Sequence, residues 1–291
     1  MQGTVDGFSY GMVTPLVACL MACLGGALGL RCVIRARRAA PAWRAGWLAL
    51  GSATIGSGLW TTHLVAMTGF SVAETSVHYD EPMIFAGLVV AVVMVGIGVF
   101  IVGHRGATGV ALFTGGTVTG LGMASMHYLG MAGTRLDGVL EYNTVTVAAS
   151  VAIAVVAATA ALWAAGRRSG FLWSVGAGLV MGLAMVGLHY TGMAAVSVHL
   201  HATRTVLAGD HSGSPLVPMM IGPLVFLCLA GAVVVFDPLM VMGRPEPAPA
   251  ERKPGVPAHP GSGRPGSARP GRRPPSGAGH RDTRSRAPQR R

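Results

Sequence analysis

The chain has 291 residues, 51% of them apolar and only 11% charged, with a positive mean hydropathy. That balance fits a multi-spanning membrane protein and excludes a soluble enzyme with an ordinary charged surface. The formal net charge of +11 resembles a nucleic-acid signal until it is divided: residues 243–291 hold 12 of the 22 Lys and Arg against 3 of the 11 acids, leaving 10 basic and 8 acidic residues in the first 242.

Seven stretches reach the roughly 20 apolar residues that a spanning helix needs. The first, 12–34, has no basic residue before it and ends in the cluster Arg31, Arg35, Arg37 and Arg38, the reverse of a cleavable signal peptide, so it is expected to remain as an anchor. It carries Cys19, Cys23 and Cys32; with Cys228 these lie in or beside apolar stretches, where free thiols rather than a disulfide framework are expected. Cys19 and Cys23 share a helix face and could meet a soft metal, although small residues are common at helix contacts. The second stretch, 46–69, ends "WTTHLVAMTGF"; the third is 83–102; the fourth, 107–132, ends "SMHYLGMAG"; the fifth is 144–165; and the sixth, 171–196, ends "GLHYTGMAA". After it come "SVHLHATR" with His199 and His201, then His211, loop histidines that could collect metal ions. The seventh, 215–236, contains Pro218 and Pro223, expected to kink it, and Asp237 marks its end.

The fold class expected is therefore all-α, with seven transmembrane helices. Cytoplasmic loops retain Lys and Arg. Connections after helices one, three and five hold Arg31, Arg35, Arg37, Arg38, Arg44, Arg105, Arg167 and Arg168, whereas those after two, four and six hold only Arg135 and Arg204. The N-terminus is expected outside and the C-terminus inside, in a plasma membrane that the chain crosses several times. From Gly243 the chain holds 11 of its 18 prolines and almost no bulky apolar side chain, so residues 243–291 read as a disordered basic cytoplasmic tail. It would lie against anionic membrane lipid; with no aromatic residue among its arginines, nucleic acid is not an expected partner. The tail contains no recognisable catalytic output domain.

Aligned on histidine, helices two, four and six give His63, His127 and His189, 64 and 62 residues apart, each followed at i+4 by Met67, Met131 and Met193. The period is one helix pair, repeated three times, with the last helix outside the repeat. Neighbouring positions differ between copies (Thr62, Met126 and Leu188; Leu64, Tyr128 and Tyr190) while the pair persists. Glycine also recurs upstream at Gly56 and Gly58, Gly120 and Gly122, and Gly178 and Gly182, a small-residue spacing that lets membrane helices approach closely.

Residues i and i+4 share a helix face about 6 Å apart along the axis, so an imidazole and a thioether can converge on one ion. Thioether favours Cu(I) and imidazole accepts both copper states, which makes copper the expected cofactor. Met123 at i−4 extends the strip in helix four, and Met185 at i−4 with Met181 at i−8 extends it in helix six; helix two has Leu59 there. A membrane histidine can equally make an interhelical hydrogen bond, and a methionine fills gaps. Sequence leaves open whether one shared site or several local ones form, near the outer face where external solutes would be met. No nucleotide-binding loop, nucleophile–base constellation or paired intramembrane carboxylates occur, so no enzyme is expected.

These motifs resemble the MHYT family, bacterial seven-helix integral membrane sensor domains built from three two-helix repeats. The resemblance covers roughly residues 8–240, although "THLV", "MHYL" and "LHYT" each depart from the full motif. It implies copper bound through His63, Met67, His127, Met131, His189 and Met193, with Met126 as first motif position of the second repeat. It also implies sensing of oxygen, carbon monoxide or nitric oxide, usually ahead of a cyclic-di-GMP enzyme or histidine kinase domain. A sensor that signals through a separate output protein or through the tail is thus the leading expectation. Copper transport or buffering is the alternative, and haem binding the third reading.

Overall fold

The computed structural model describes residues 2–6, 10–167, 171–200 and 215–237. The tail expected over 243–291, and also Arg168, His201, Arg204, Asp210 and His211, lie outside the described residues. Within them the chain forms seven α-helices: α1 (Val13–Arg38), α2 (Pro41–Met67), α3 (Glu81–Arg105), α4 (Gly109–Ala132), α5 (Thr144–Arg167), α6 (Phe171–Ala194) and α7 (Leu216–Val235). Helix α1 runs past the expected end at residue 34 because basic side chains in its last turn, Arg35, Arg37 and Arg38, complement the C-terminal dipole where apolar side chains stop. Helix α2 starts before the expected residue 46, at Pro41, whose fixed φ suits a first helical position.

Five helices are long and apolar enough to cross a membrane: α1, α3, α5, α6 over Leu172–Ala194, and α7. Helices α2 and α4, of 27 and 24 residues, are as long but richer in Gly, Ser, Thr and His. The difference follows from position. On α3, Phe85, Val89, Val93 and Ile97 are large, apolar and exposed, the pattern of a helix whose solvent is lipid. On α2, by contrast, almost every residue from Thr54 to Met67 is buried. Its hydroxyls are satisfied within the helix: Ser52, Thr61 and Thr62 donate to the carbonyls of Leu48, Ser57 and Gly58.

Successive helices pack side by side, and α6 returns to α1, closing a ring of six; α7 lies against α2 and α1. The upstream glycines make the ring tight. A Cβ at Gly58 would lie 2.7 Å from the Cα of Gly25 on α1, and one at Gly56 only 2.7 Å from Val92 on α3. Gly122 packs on Met94 of α3 and Gly178 on Ala27 of α1 in the same way. In α2 the i, i+2 glycine pair thus admits the odd-numbered helices on either side.

One end of the ring carries all the strands, which an all-α reading did not anticipate. β2 (Val5–Asp6) pairs with β3 (Ser71–Val72), β4 (His78–Tyr79) with β5 (Thr134–Arg135), and β6 (Gly138–Tyr142) with β7 (Val196–Leu200), which also pairs with β1 (Gln2–Gly3); all are antiparallel. Each of the first three pairs joins the segment before an odd-numbered helix to the segment after an even-numbered one. The strands therefore repeat the threefold order of the helices, with residues 2–6 serving as the segment before α1.

Arginines mark the other end. Arg35 is buried, donates to the Asp237 carboxylate and has Trp47 5.1 Å away. Asp237 thus does more than end α7: it ties that helix to α1. Arg44 donates to the Gly103 carbonyl and Arg37 to that of Gly166, joining α2 to α3 and α1 to α5. Pro218 falls in the first turn of α7 and so interrupts no bond of the helix interior, which leaves Pro223 as the interior proline.

Candidate metal centre

His63, His127 and His189 lie in the last turn or two of α2, α4 and α6, at the strand end of the ring. The glycine-lined ring brings these three helices to its centre, and the imidazoles meet there. Nδ1 of His63 is 3.3 Å from Nδ1 of His127 and 3.4 Å from Nδ1 of His189. Ring centroids are 5.1, 5.4 and 5.1 Å apart, with interplanar angles of 87°, 68° and 81°. One ligand atom from each histidine lies within 4.8 Å of the others, and no other trio of His, Cys, Asp or Glu converges so among the described residues. One shared cluster forms, not three separate ones.

The two Nδ1 distances from His63 suit a single ion. Two nitrogens each roughly 2.0–2.1 Å from a metal stand about 3.3–3.6 Å apart in tetrahedral or trigonal geometry. Each Nδ1 carries either one proton or one lone pair, so His63 cannot make two full hydrogen bonds to its neighbours. Nε2 of His127 is buried with no hydrogen-bond partner among the described residues.

The methionines are enclosed with the histidines. Met67, Met123, Met131 and Met185 are 0–1% exposed and Met193 is half-buried against the same core. Helical spacing puts Met67, Met131 and Met193 one turn beyond each histidine, and Met123 and Met185 one turn before. Met181 and Met126 turn elsewhere: Met181 packs beside Gly26 of α1 and Met126 beside Gly87 of α3. The rings are braced from behind. Tyr128 packs edge-on against His127 and hydrogen-bonds Ser150 of α5 at 2.7 Å, and Tyr190 packs edge-on against His189.

Two residues in this brace are legible only in hindsight. A Cβ at Gly130 would run into Nε2 of His63, and one at Gly192 would lie 2.6 Å from Nε2 of His127. Both occupy the third position after a histidine, where the first repeat has Ala66. Comparing small residues at that offset, rather than only histidines and methionines, would have found them.

The cluster does not open onto the surroundings, contrary to the expectation of a site meeting external solutes. His63, His127 and His189 are 1%, 0% and 3% exposed, and the strand segments add buried Phe70, Val72 and Val198 to the core. Tyr79 donates to the Met67 carbonyl at 3.3 Å, and burial pushes its phenol up to about 12, so it remains a donor at neutral pH. Asp80 caps α3 through the Met83 amide and receives Arg135 of β5 at 3.0 Å; these two hydrogen bonds hold its carboxyl below the usual range. Glu74 is likewise lowered, by the Thr4 amide it accepts.

The remaining candidates stay apart from the cluster. Cys19 and Cys23 pack along α1, Cys23 against Gly182, and all four cysteines are free. His199 is exposed and faces Glu141 at 3.4 Å.

Comparison with known proteins agrees with the repeat. The family model described as "MHYT: Bacterial signalling protein N terminal repeat" matches residues 56–115 and 120–178. The two matches start 64 residues apart, the interval between His63 and His127. A bifunctional diguanylate cyclase/cyclic di-GMP phosphodiesterase, MucR of Pseudomonas aeruginosa, is 34% identical over 197 residues, covering 66% of this chain and 29% of that protein. The cyclic di-GMP phosphodiesterase NbdA of the same organism is 32% identical over 212 residues, 69% of this chain and 27% of that protein. The signalling protein YkoW of Bacillus subtilis is 30% identical over 160 residues, 53% and 20% respectively. The chain spans less than a third of the length of these curated relatives. No solved structure matches it. Two family repeats in register with the histidine period, on a helical ring that gathers those histidines, identify the chain as a member of the MHYT family of signalling proteins.

Proposed function

We propose that residues 8–240 form the sensor of a signalling system in the plasma membrane, with the strand end outside and the arginine end in the cytoplasm. In this reading His63, His127 and His189 hold one copper ion, Met67, Met131 and Met193 supply neighbouring thioethers, and Met123 and Met185 form a deeper sulfur layer. The observation that supports it is the buried meeting of three imidazoles, with Nδ1 of His63 3.3 and 3.4 Å from those of His127 and His189. Copper there would supply a centre that changes oxidation state or takes a diatomic ligand such as oxygen, carbon monoxide or nitric oxide. The protein's part is to hold three imidazoles edge to edge, keep water out, and pass a change in their spacing to α2, α4 and α6.

Burial speaks for sensing over copper transport, since a small apolar gas dissolves through a helix bundle whereas a transported ion needs a polar path. Ring centroids about 5 Å apart leave no room for a macrocycle between the imidazoles, against haem. The relatives named for making or degrading cyclic di-GMP suggest that class of output, delivered through α7 and the residues after it or through a separate output protein.

The test is to purify the full chain from copper-supplied cells and record metal content with optical and paramagnetic spectra, for wild type and His127→Ala. Stoichiometric copper in the wild type, lost in the variant, is expected. Wild-type protein without copper overturns the proposal, and a Soret band would replace it with haem.

A further inference from the structure

At the arginine end, α1 and α5 border an open pocket of about 200 Å³ lined by Ile34, Arg37, Arg38 and Arg167. Three of the four lining residues are arginines, all exposed, so the pocket carries a local excess of positive charge that attracts anions. Ion pairs among the described residues include Arg35 with Asp237, Arg135 with Asp80, and His199 with Glu141. None serves the pocket, and the one described carboxylate at that end is already held by Arg35. The pocket is nonetheless built: Arg37 is pinned across the helix gap by the Gly166 carbonyl, and the Arg167 guanidinium stands 5.5 Å from the Trp163 ring centroid.

We propose that this pocket binds the phosphate-bearing headgroup of an anionic membrane lipid. A planar guanidinium offers paired N–H donors that match phosphate oxygens, and basic pockets between membrane helices bind acidic headgroups. The volume holds a glycerol phosphate but lies below the roughly 300 Å³ at which sites for larger organic ligands begin. A lipid suits the walls better than free phosphate does, because Trp163 is 45% exposed and continues into the exposed apolar flank of α5 at Val156 and Ile153, where acyl chains would run. This inference rests on the membrane reading and is independent of copper.

The test uses the full chain in neutral phosphatidylcholine nanodiscs, titrated with dihexanoyl phosphatidylglycerol, dihexanoyl phosphatidylcholine or glycerol phosphate, with tryptophan fluorescence as readout and Trp163→Phe to assign the signal. Saturable binding of the anionic lipid alone is expected. Each basic residue contributes about fivefold, so Arg37→Gln/Arg38→Gln/Arg167→Gln should bind roughly a hundredfold more weakly. Should the triple variant fail to fold, Arg38→Gln alone should lose about fivefold, with Arg105→Gln at the same end unchanged. Equal losses in Arg38→Gln and Arg105→Gln would reveal diffuse surface charge and overturn the site. Glycerol phosphate binding as tightly as the lipid would overturn the lipid assignment, and equal binding of phosphatidylcholine, or none of any ligand, would overturn both.

Discussion

Replacing Gly192 by alanine tests the cluster without touching a proposed ligand. The new Cβ would stand 2.6 Å from Nε2 and 3.1 Å from Cδ2 of His127. Non-bonded heavy atoms settle at roughly 3.5 Å, so the ring must retreat by roughly 0.9 Å. Its Nδ1, now 3.3 Å from that of His63, moves with it. Metal geometry tolerates only about 0.2 Å, so on the proposed copper reading Cu(I) affinity should fall at least as far as for loss of a positioning group, about 10–100-fold. Gly222→Ala on α7, where a Cβ meets nothing within 4 Å, is the control. The assay is competition for Cu(I) against a chromophoric chelator in detergent, with thermal unfolding alongside, where overpacking at residue 192 should cost about 1–3 kcal/mol. Wild-type affinity in Gly192→Ala would refute the argument that the glycine sets the ring position, and so would an equal loss in Gly222→Ala.

Two further outcomes follow from the ends of the ring. Asp237→Ala leaves the buried Arg35 without its carboxylate and should destabilise the protein by about 3–5 kcal/mol, read as a lower midpoint in detergent unfolding; Arg35→Met/Asp237→Leu should recover most of the loss. At the strand end, Asp80 is held below its usual range by Arg135 and then by the Met83 amide. Its contribution should therefore be complete above the ordinary carboxylate value near 3.9 and fade as pH falls through the lower folded value. Hydrogen exchange at the Met83 amide, corrected for intrinsic rate, should lose protection on acidification, whereas Asp80→Asn should show no such pH dependence.

The histidine period, the His–Met offset and the glycines were legible because each recurs with the helix pair, and recurrence is visible without coordinates. Helix number was legible from apolar length, but not the end of α1, since Arg35–Arg38 continue the helix after hydropathy has fallen. The two-residue strands left no trace: segments as short as Val5–Asp6 or His78–Tyr79 are too brief for alternation, and their pairing depends on which connections the ring brings together. Arg35 and Asp237 are 202 residues apart, and nothing local to either marks the other. Burial of the histidines was not legible for a similar reason. Their depth along the helices suggested access, while the cover comes from segments elsewhere in the chain.

A threefold ring has no preferred direction: three equivalent histidines on three equivalent helices would radiate any disturbance alike. The seventh helix removes that equivalence. It lies along α2, the helix of His63, and α1, to which Asp237 fastens it through Arg35. A disturbance shared equally at the centre therefore has one sector in which it meets an extra helix, and that helix is the last described element of the chain.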